Sequence, residues 1–222
     1  MNSSDSNIYY NHIIEQVRFL TEYTFVIRLE RKALKFTAGQ RVIIGPAGDI
    51  DQREYSIYSG ENDEFLEILV REVPDGNVSV KLKNCKPGEL LQVNGPFGSF
   101  RIDPQDRQSG KFVFIATGTG ISPFHSFIRS YPGLDYTLFH GVRYAGEAYG
   151  KDEYAAGRYR LCLSKDSYEG RKGRVTKFLY SYKPESDTLF YLCGNSHMIY
   201  EVSHMLRAKD VKAENIITEV YF

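Results

Sequence analysis

The chain has no tryptophan and only three cysteines, Cys85, Cys162 and Cys193. They lie too far apart for a Cys-x-x-Cys pair and are too few to ligate an iron–sulfur cluster. Net charge is also missing, because 28 lysines and arginines balance 28 aspartates and glutamates. No global field therefore favours nucleic acid or an anionic membrane. No apolar run approaches the ~20 residues that span a bilayer. The stretch from Met1 to Asn7 is polar and lacks a signal-peptide core. A reducing, cytoplasmic setting is expected. His12, His125, His140, His197 and His204 share no metal-ligand spacing and read as structural or surface residues, so no metal is expected.

What the chain does have is tyrosine, 17 residues, and phenylalanine, 14 residues, enough to build a core on rings. A length of 222 residues suits two compact domains. Two kinds of pattern divide it. Residues 8 to 103 read as short strands: Ile13 to Phe19, Phe25 to Leu29, Arg41 to Ile44, Arg53 to Tyr58, Phe65 to Val73 and Leu90 to Asn94. Glycine–proline turns separate them, and a short helix is predicted near Ser79. Six strands with few helix signals predict an antiparallel barrel.

From Lys111 the pattern changes. Short apolar runs without polar alternation recur at Phe112 to Ala116, Tyr136 to His140, Tyr159 to Leu163, Leu189 to Cys193 and Ile216 to Tyr221. Helical stretches fit between them at Pro123 to Ser130, Val175 to Tyr182 and Ser196 to Lys209. Alternating strand and helix predicts a parallel sheet with helices on both faces. The polar segment Asp103 to Gly110 is the natural linker, giving domains over 1–104 and 110–222.

Arg53-Glu-Tyr55-Ser56 offers a cation, an aromatic plane and a hydroxyl within one strand. Arginine's planar fork suits a phosphate, tyrosine covers a flat ring and serine bonds its rim. Taken alone, the same residues also describe an edge strand with a solvated arginine. A second anchor runs from Val70 through Gly76 to Val78 and Ser79, where amides opening a helix form an anion site. Two phosphate binders on one barrel point to a pyrophosphate, and hence to FAD rather than FMN. Downstream, the strand ending at Ala116 and Thr117 leads into Gly118-x-Gly120-x-x-Pro123. That is the dinucleotide fingerprint with proline in place of the third glycine. Proline is at home in a helix's first turn, and Ser122 is placed as its N-cap. Arg143, Lys165 and Arg174 each follow a buried strand and should gather at the sheet's carboxyl edge, where an added 2′-phosphate would select NADPH over NADH. Cys193-Gly194 ends the fourth strand of that sheet, within reach of a nicotinamide, although a buried inert cysteine is the alternative. The final Glu219-Val-Tyr221-Phe222 either closes a flavin's second face or packs a last strand.

Together these residues resemble the ferredoxin–NADP reductase family, and most closely its bacterial ferredoxin/flavodoxin reductases. The resemblance spans essentially the whole chain. It implies an N-terminal six-stranded Greek-key β-barrel for FAD and a C-terminal α/β Rossmann-like parallel sheet for NADP. By position it gives Arg53 to the FAD phosphate, Tyr55 to the isoalloxazine face and Ser56 to N5. It places Cys193 and Glu219 by the nicotinamide and the reactive edge, and Tyr221 over the flavin, with Phe222 extending beyond it. Arg143, Lys165 and Arg174 match 2′-phosphate positions, with Lys165 standing where relatives often carry arginine. The implied activity is an oxidoreductase passing electrons between NADPH and a separate ferredoxin or flavodoxin, and a monomer is expected. The alternatives are a reductase of free flavin, ferric chelates or an oxygenase partner, and a non-catalytic electron-relay subunit. Basic clusters at Arg31-Lys32-Lys35 and Lys81-Lys83-Lys86 are either a landing site for an acidic redox protein or simply solvated.

Overall fold

A computed structural model describes residues 10–166 and 172–221. Six antiparallel strands form the front sheet: β1 (Tyr10–Phe19), β2 (Thr24–Glu30), β3 (Arg41–Pro46), β4 (Arg53–Ser56), β5 (Phe65–Arg71) and β6 (Leu90–Phe97). They run in the order β4-β3-β6-β1-β2-β5. An antiparallel bridge between Ile57 and Ile68 joins the two edges, so the sheet closes into a barrel. The Tyr58 amide adds a 2.7 Å hydrogen bond to the Glu67 carbonyl at the same seam. One helix, α1 (Asn77–Asn84), follows β5.

Five parallel strands form the rear sheet: β7 (Lys111–Thr117), β8 (Asp135–Val142), β9 (Tyr159–Leu163), β10 (Leu189–Asn195) and β11 (Ile216–Tyr221). Their order is β11-β10-β7-β8-β9. Helices α2 (Ser122–Ser130), α3 (Val175–Tyr180) and α4 (Ser196–Arg207) complete this half. The strand order reverses at β7: β8 and β9 are added on one side of it, and β10 and β11 on the other. A crevice opens at the carboxyl end of such a strand.

Alternation within the strands sorts the core into three layers. Phe25, Ile27 and Leu29 of β2 join Leu66, Ile68 and Val70 of β5 inside the barrel. Val113 and Ile115 of β7 face α3 and α4. Between the two halves, Val26 and Leu69 from the barrel's outer wall meet Phe112, Phe114, Phe124 and Phe127. β2 and β5 are therefore buried on both faces, which explains their near-continuous apolar runs in an antiparallel setting. Helix α2 clamps this middle layer. The His125 ring stacks on Tyr58 with centroids 3.6 Å apart. Ser126 donates to the Ser59 carbonyl at 2.7 Å, and Arg129 pairs with Asp63 at 2.8 Å.

One local expectation needs correction and another gains detail. Ser122 is not an N-cap: a 3-10 turn over Gly118–Ile121 runs straight into α2, and Ser122 already has helical backbone angles. Its hydroxyl donates back to the Thr119 carbonyl at 2.8 Å instead of accepting an amide. The basic clusters are also largely engaged at home. Lys81 pairs with Asp49 and Asp51, and Lys83 with Glu72. Arg31 donates to the Leu34, Glu61 and Asp63 carbonyls.

Candidate active site

Two cavities open along the seam between barrel and sheet. The first, 870 Å³, is walled by Arg53, Tyr55, Ser56, Gly76, Val78, Ser79 and the terminal strand from Ile217 to Tyr221. The second, 650 Å³, lies over the carboxyl ends of the parallel strands and is walled by Thr117, Gly118, Arg143, Arg174 and Gly194. Arg71, Thr119 and Tyr221 line both, so the cavities meet at one shared wall.

All four residues of β4 reach the first cavity although they alternate in direction. β4 is an edge strand paired only with β3, so its rim as well as its faces is open. Tyr55 packs partly against the barrel core, and burial pushes its phenol up to about 12. Ser56 is 3% exposed, and its hydroxyl donates to Glu219 Oε2 at 3.1 Å across 163 residues of chain. Burial raises the Glu219 carboxyl above the ordinary glutamate value, against the opposing pull of the Ser56 hydrogen bond and the Arg41 charge. Gly76 precedes α1 with an ordinary backbone angle, φ −90°. Its need is for space, because a β-carbon there would stand 3.0 Å from both Ser79 Oγ and the Val73 carbonyl oxygen. Ser79 accepts the Val73 amide at 3.0 Å, so its hydroxyl is already engaged in shaping the turn. No side chain caps α1, which leaves its first amides open to an anion.

In the second cavity the glycines divide their tasks. Gly118 adopts φ +53° with open space beyond it, a conformation that other residues enter at a cost. Gly120 does not line the cavity. It packs beneath β10, where a β-carbon would lie 2.4 Å from the Cys193 carbonyl oxygen. Thr117 Oγ1 accepts the Asn195 amide at 2.9 Å, while the Asn195 side chain caps α4 through the His197 and Met198 amides. Arg143 and Arg174 are exposed on the wall.

Other expected residues are placed differently. Val70 points into the barrel core and its neighbours Leu69 and Arg71 face the cavity. Lys165 is off the wall; its amide donates to the Arg143 carbonyl at 3.1 Å, while Ser164 does line the cavity. Cys193 is fully buried beside Tyr221 and lines neither cavity, and burial holds its thiol well above its usual value. Phe222 lies outside the described residues.

Comparison with known proteins identifies the two halves that carry these cavities. Residues 15–102 match the oxidoreductase FAD-binding domain, and residues 114–204 match the oxidoreductase NAD-binding domain. The flavodoxin/ferredoxin–NADP reductase of Escherichia coli is 27% identical, over 84% of this chain and 85% of that protein. A ferredoxin NADP+ reductase from Neisseria gonorrhoeae, solved with bound FAD and NADP, superposes with a TM-score of 0.84 at 21% identity, covering 96% of this chain and 99% of that one. The chain belongs to the ferredoxin–NADP reductase family. Within this family of oxidoreductases its barrel is an FAD-binding domain and its parallel sheet a nicotinamide-nucleotide domain. The toluate 1,2-dioxygenase electron transfer component of Pseudomonas putida is 28% identical over 96% of this chain and 67% of its own length. Against the reductase subunit of an aromatic O-demethylase from Amycolatopsis, the chain spans 39% of the relative.

The residues present fit both cofactors. An arginine and uncapped helix amides suit the FAD pyrophosphate, and the half-buried Tyr55 ring suits the isoalloxazine. The Tyr221 hydroxyl is buried beside Ser56 and Cys193, which puts a polar group at the cavities' shared wall.

Three wall residues were not legible in the motifs: Arg41, Arg71 and Glu147. Arg71 leaves β5 toward both cavities and sits 3.6 Å from Glu147, whose other oxygen accepts the Arg143 and Tyr144 amides at 2.8 and 3.1 Å. The β5 alternation that buries Val70 was the available signal for Arg71.

His140 supports the Gly118 turn from below. It is fully buried, donates from Nε2 to the Gly118 carbonyl at 2.8 Å, and accepts the Tyr159 hydroxyl at Nδ1, also at 2.8 Å. Burial lowers its pKa from 6.5 to about 4. The unfolded chain therefore binds a proton that the folded chain refuses between those values. The stability this contributes is complete above pH 6.5 and is lost as pH falls toward 4. Between pH 7 and pH 5 the loss should be about 2 kcal/mol. Urea unfolding at the two pH values should show it in the wild type and show a smaller loss in His140→Gln; equal losses would remove the assignment.

Proposed function

We propose that this chain is a flavin-dependent oxidoreductase that passes electrons between NADPH and a separate one-electron carrier, a ferredoxin or flavodoxin. The observation that carries the proposal is the shared wall: Arg71, Thr119 and Tyr221 belong to both cavities, so ligands in the two sites meet. FAD, when bound, supplies the conversion between two-electron hydride chemistry and single-electron release. The chain's own residues supply binding, orientation and exclusion of water. Arg53 and the open amides of α1 hold the pyrophosphate, and Tyr55 covers one face of the ring system. Tyr221, at the shared wall, covers the other face and gives way to the nicotinamide. Ser56, oriented by Glu219, presents its hydroxyl at the reactive edge. Arg143 and Arg174 take the 2′-phosphate, while Lys165 is off the cavity wall.

A visible spectrum recorded without oxygen tests the core of this reading. The purified protein should be yellow and should bleach on addition of NADPH more readily than with NADH. A colourless chain, or one unaffected by either coenzyme, would favour a non-catalytic relay subunit. Coenzyme choice has its own test. Each charge-assisted contact to the extra phosphate contributes about 1.5 kcal/mol or more, near a factor of ten. Arg143→Ala combined with Arg174→Ala should therefore narrow the NADPH/NADH ratio of kcat/KM by at least about tenfold. Unchanged kcat/KM for both coenzymes would reject the assignment.

A second reading keeps the chemistry and changes the acceptor. The likeness to a dioxygenase electron transfer component over 96% of this chain favours an oxygenase as the partner. Steady-state assays with ferredoxin, flavodoxin and an oxygenase as acceptors separate the two.

A further inference from the structure

Arg41 opens β3 at a position where three strands converge. It pairs with Ser56 on β4 and with Phe97 on β6. That register carries its side chain to the wall of the flavin cavity, beside the Ser56–Glu219 contact. Arg41 Nη1 lies 3.5 Å from Glu219 Oε1, and its Nε lies 2.8 Å from Glu54 Oε2. Glu219 thus divides its two oxygens, Oε2 accepting from Ser56 and Oε1 facing the guanidinium. The neighbouring backbone makes room for this arrangement. Gly98 holds φ +101°, and a β-carbon there would sit 2.8 Å from Arg41 Nη1.

We propose that Arg41 is the positioning residue of the Ser56–Glu219 pair: laid between Glu54 and Glu219, its guanidinium keeps the Glu219 carboxylate ionised and turned toward Ser56. The inference rests on the reading of that pair as the reactive edge. Its physical basis is burial. The Glu219 side chain is 12% exposed while that of Glu54 is 58% exposed. A buried carboxylate without a cation takes up a proton, and a protonated Glu219 would turn a donor toward Ser56 and release the hydroxyl from its set direction. The other groups facing Glu219 cannot replace the cation. Ser56 and Tyr221 bring hydroxyls, Cys193 a thiol that burial keeps protonated, and Glu54 a like charge. Arg41 is the one positive side chain that the described residues bring to it.

The test uses the FAD-loaded protein and two readouts. Infrared titration follows the carboxylic C=O band of protonated Glu219, assigned by its loss in Glu219→Gln. Stopped flow follows the acid limb of flavin reduction by NADPH. In Arg41→Met both midpoints should rise by about one pH unit, the lower end of what an opposite charge at this range produces. Arg41→Lys keeps the charge but cannot span both carboxylates, so it should move them by less; it also carries the test if the methionine variant fails to fold. A C=O midpoint in the variants equal to that of the wild type would overturn the proposal. A midpoint that moves while the kinetic limb stays fixed would uphold Arg41's hold on Glu219 and reject Ser56–Glu219 as the reactive edge.

Discussion

Replacing Ser56 by alanine should slow anaerobic reduction of the bound flavin by NADPH on the order of 100-fold, while FAD retention changes little. The magnitude is that of removing one preorganised hydrogen-bond partner from a water-excluded site. Ser56 is such a partner: it is 3% exposed, its proton is donated to Glu219 Oε2 at 3.1 Å, and its oxygen is left to accept at the reactive edge. The other hydroxyl from a flavin-cavity motif, Ser79, is already bonded to the Val73 amide and cannot substitute. Retention should survive because Arg53, Tyr55 and the amides of α1 are left in place. Stopped-flow absorbance measures the reduction rate, and fluorescence of released FAD measures retention. An unchanged rate would remove Ser56 from the chemistry. Equal losses in rate and retention would make it a binding residue instead.

The two-sheet architecture was legible because each sheet follows its own period. The inner parallel strands β7 and β10 are buried on both faces and read as unbroken apolar runs, and the observed limits of all five parallel strands extend the expected ones by a few residues at most. In the barrel, alternation gave the strands but not the reason for the runs in β2 and β5. That reason is the middle layer, where Val26 and Leu69 meet Phe124 and Phe127 of the other half. Residues whose role depends on local backbone were also within reach, as Gly118 illustrates. What could not be read was contact between distant segments. Arg41 and Glu219 are 178 positions apart, and only the pairing of β3 with β4 puts the arginine beside Ser56. Ser122 failed for a different reason. N-cap preference assumes that the helix starts from extended chain, whereas a 3-10 turn already leads into α2.

The glycine turn yields the other large effect, and it separates two residues that the fingerprint treats alike. In Gly120→Ala the new β-carbon would stand 2.4 Å from the Cys193 carbonyl oxygen, and 2.7 Å from both the Cys193 carbonyl carbon and Gly194 Cα. All three are backbone atoms of β10, the strand between β7 and β11 in the sheet, so no flexible side chain can yield. Overpacking of this kind costs about 3 kcal/mol or more, which lowers Tm by roughly 6–12 °C in a chain of this size. Relief requires the Gly118 turn to move away from Gly194, opening the nucleotide cavity where both glycines form its wall. NADP affinity should fall at least about tenfold, as one lost charged contact would cause. Gly118→Ala meets no atom within 4 Å and suffers only its φ of +53°, a strain of roughly 1–2 kcal/mol. Differential scanning calorimetry of the two variants should rank Gly120→Ala well below Gly118→Ala. Equal melting temperatures would mean that the turn and β10 are less closely packed than a missing methyl group requires.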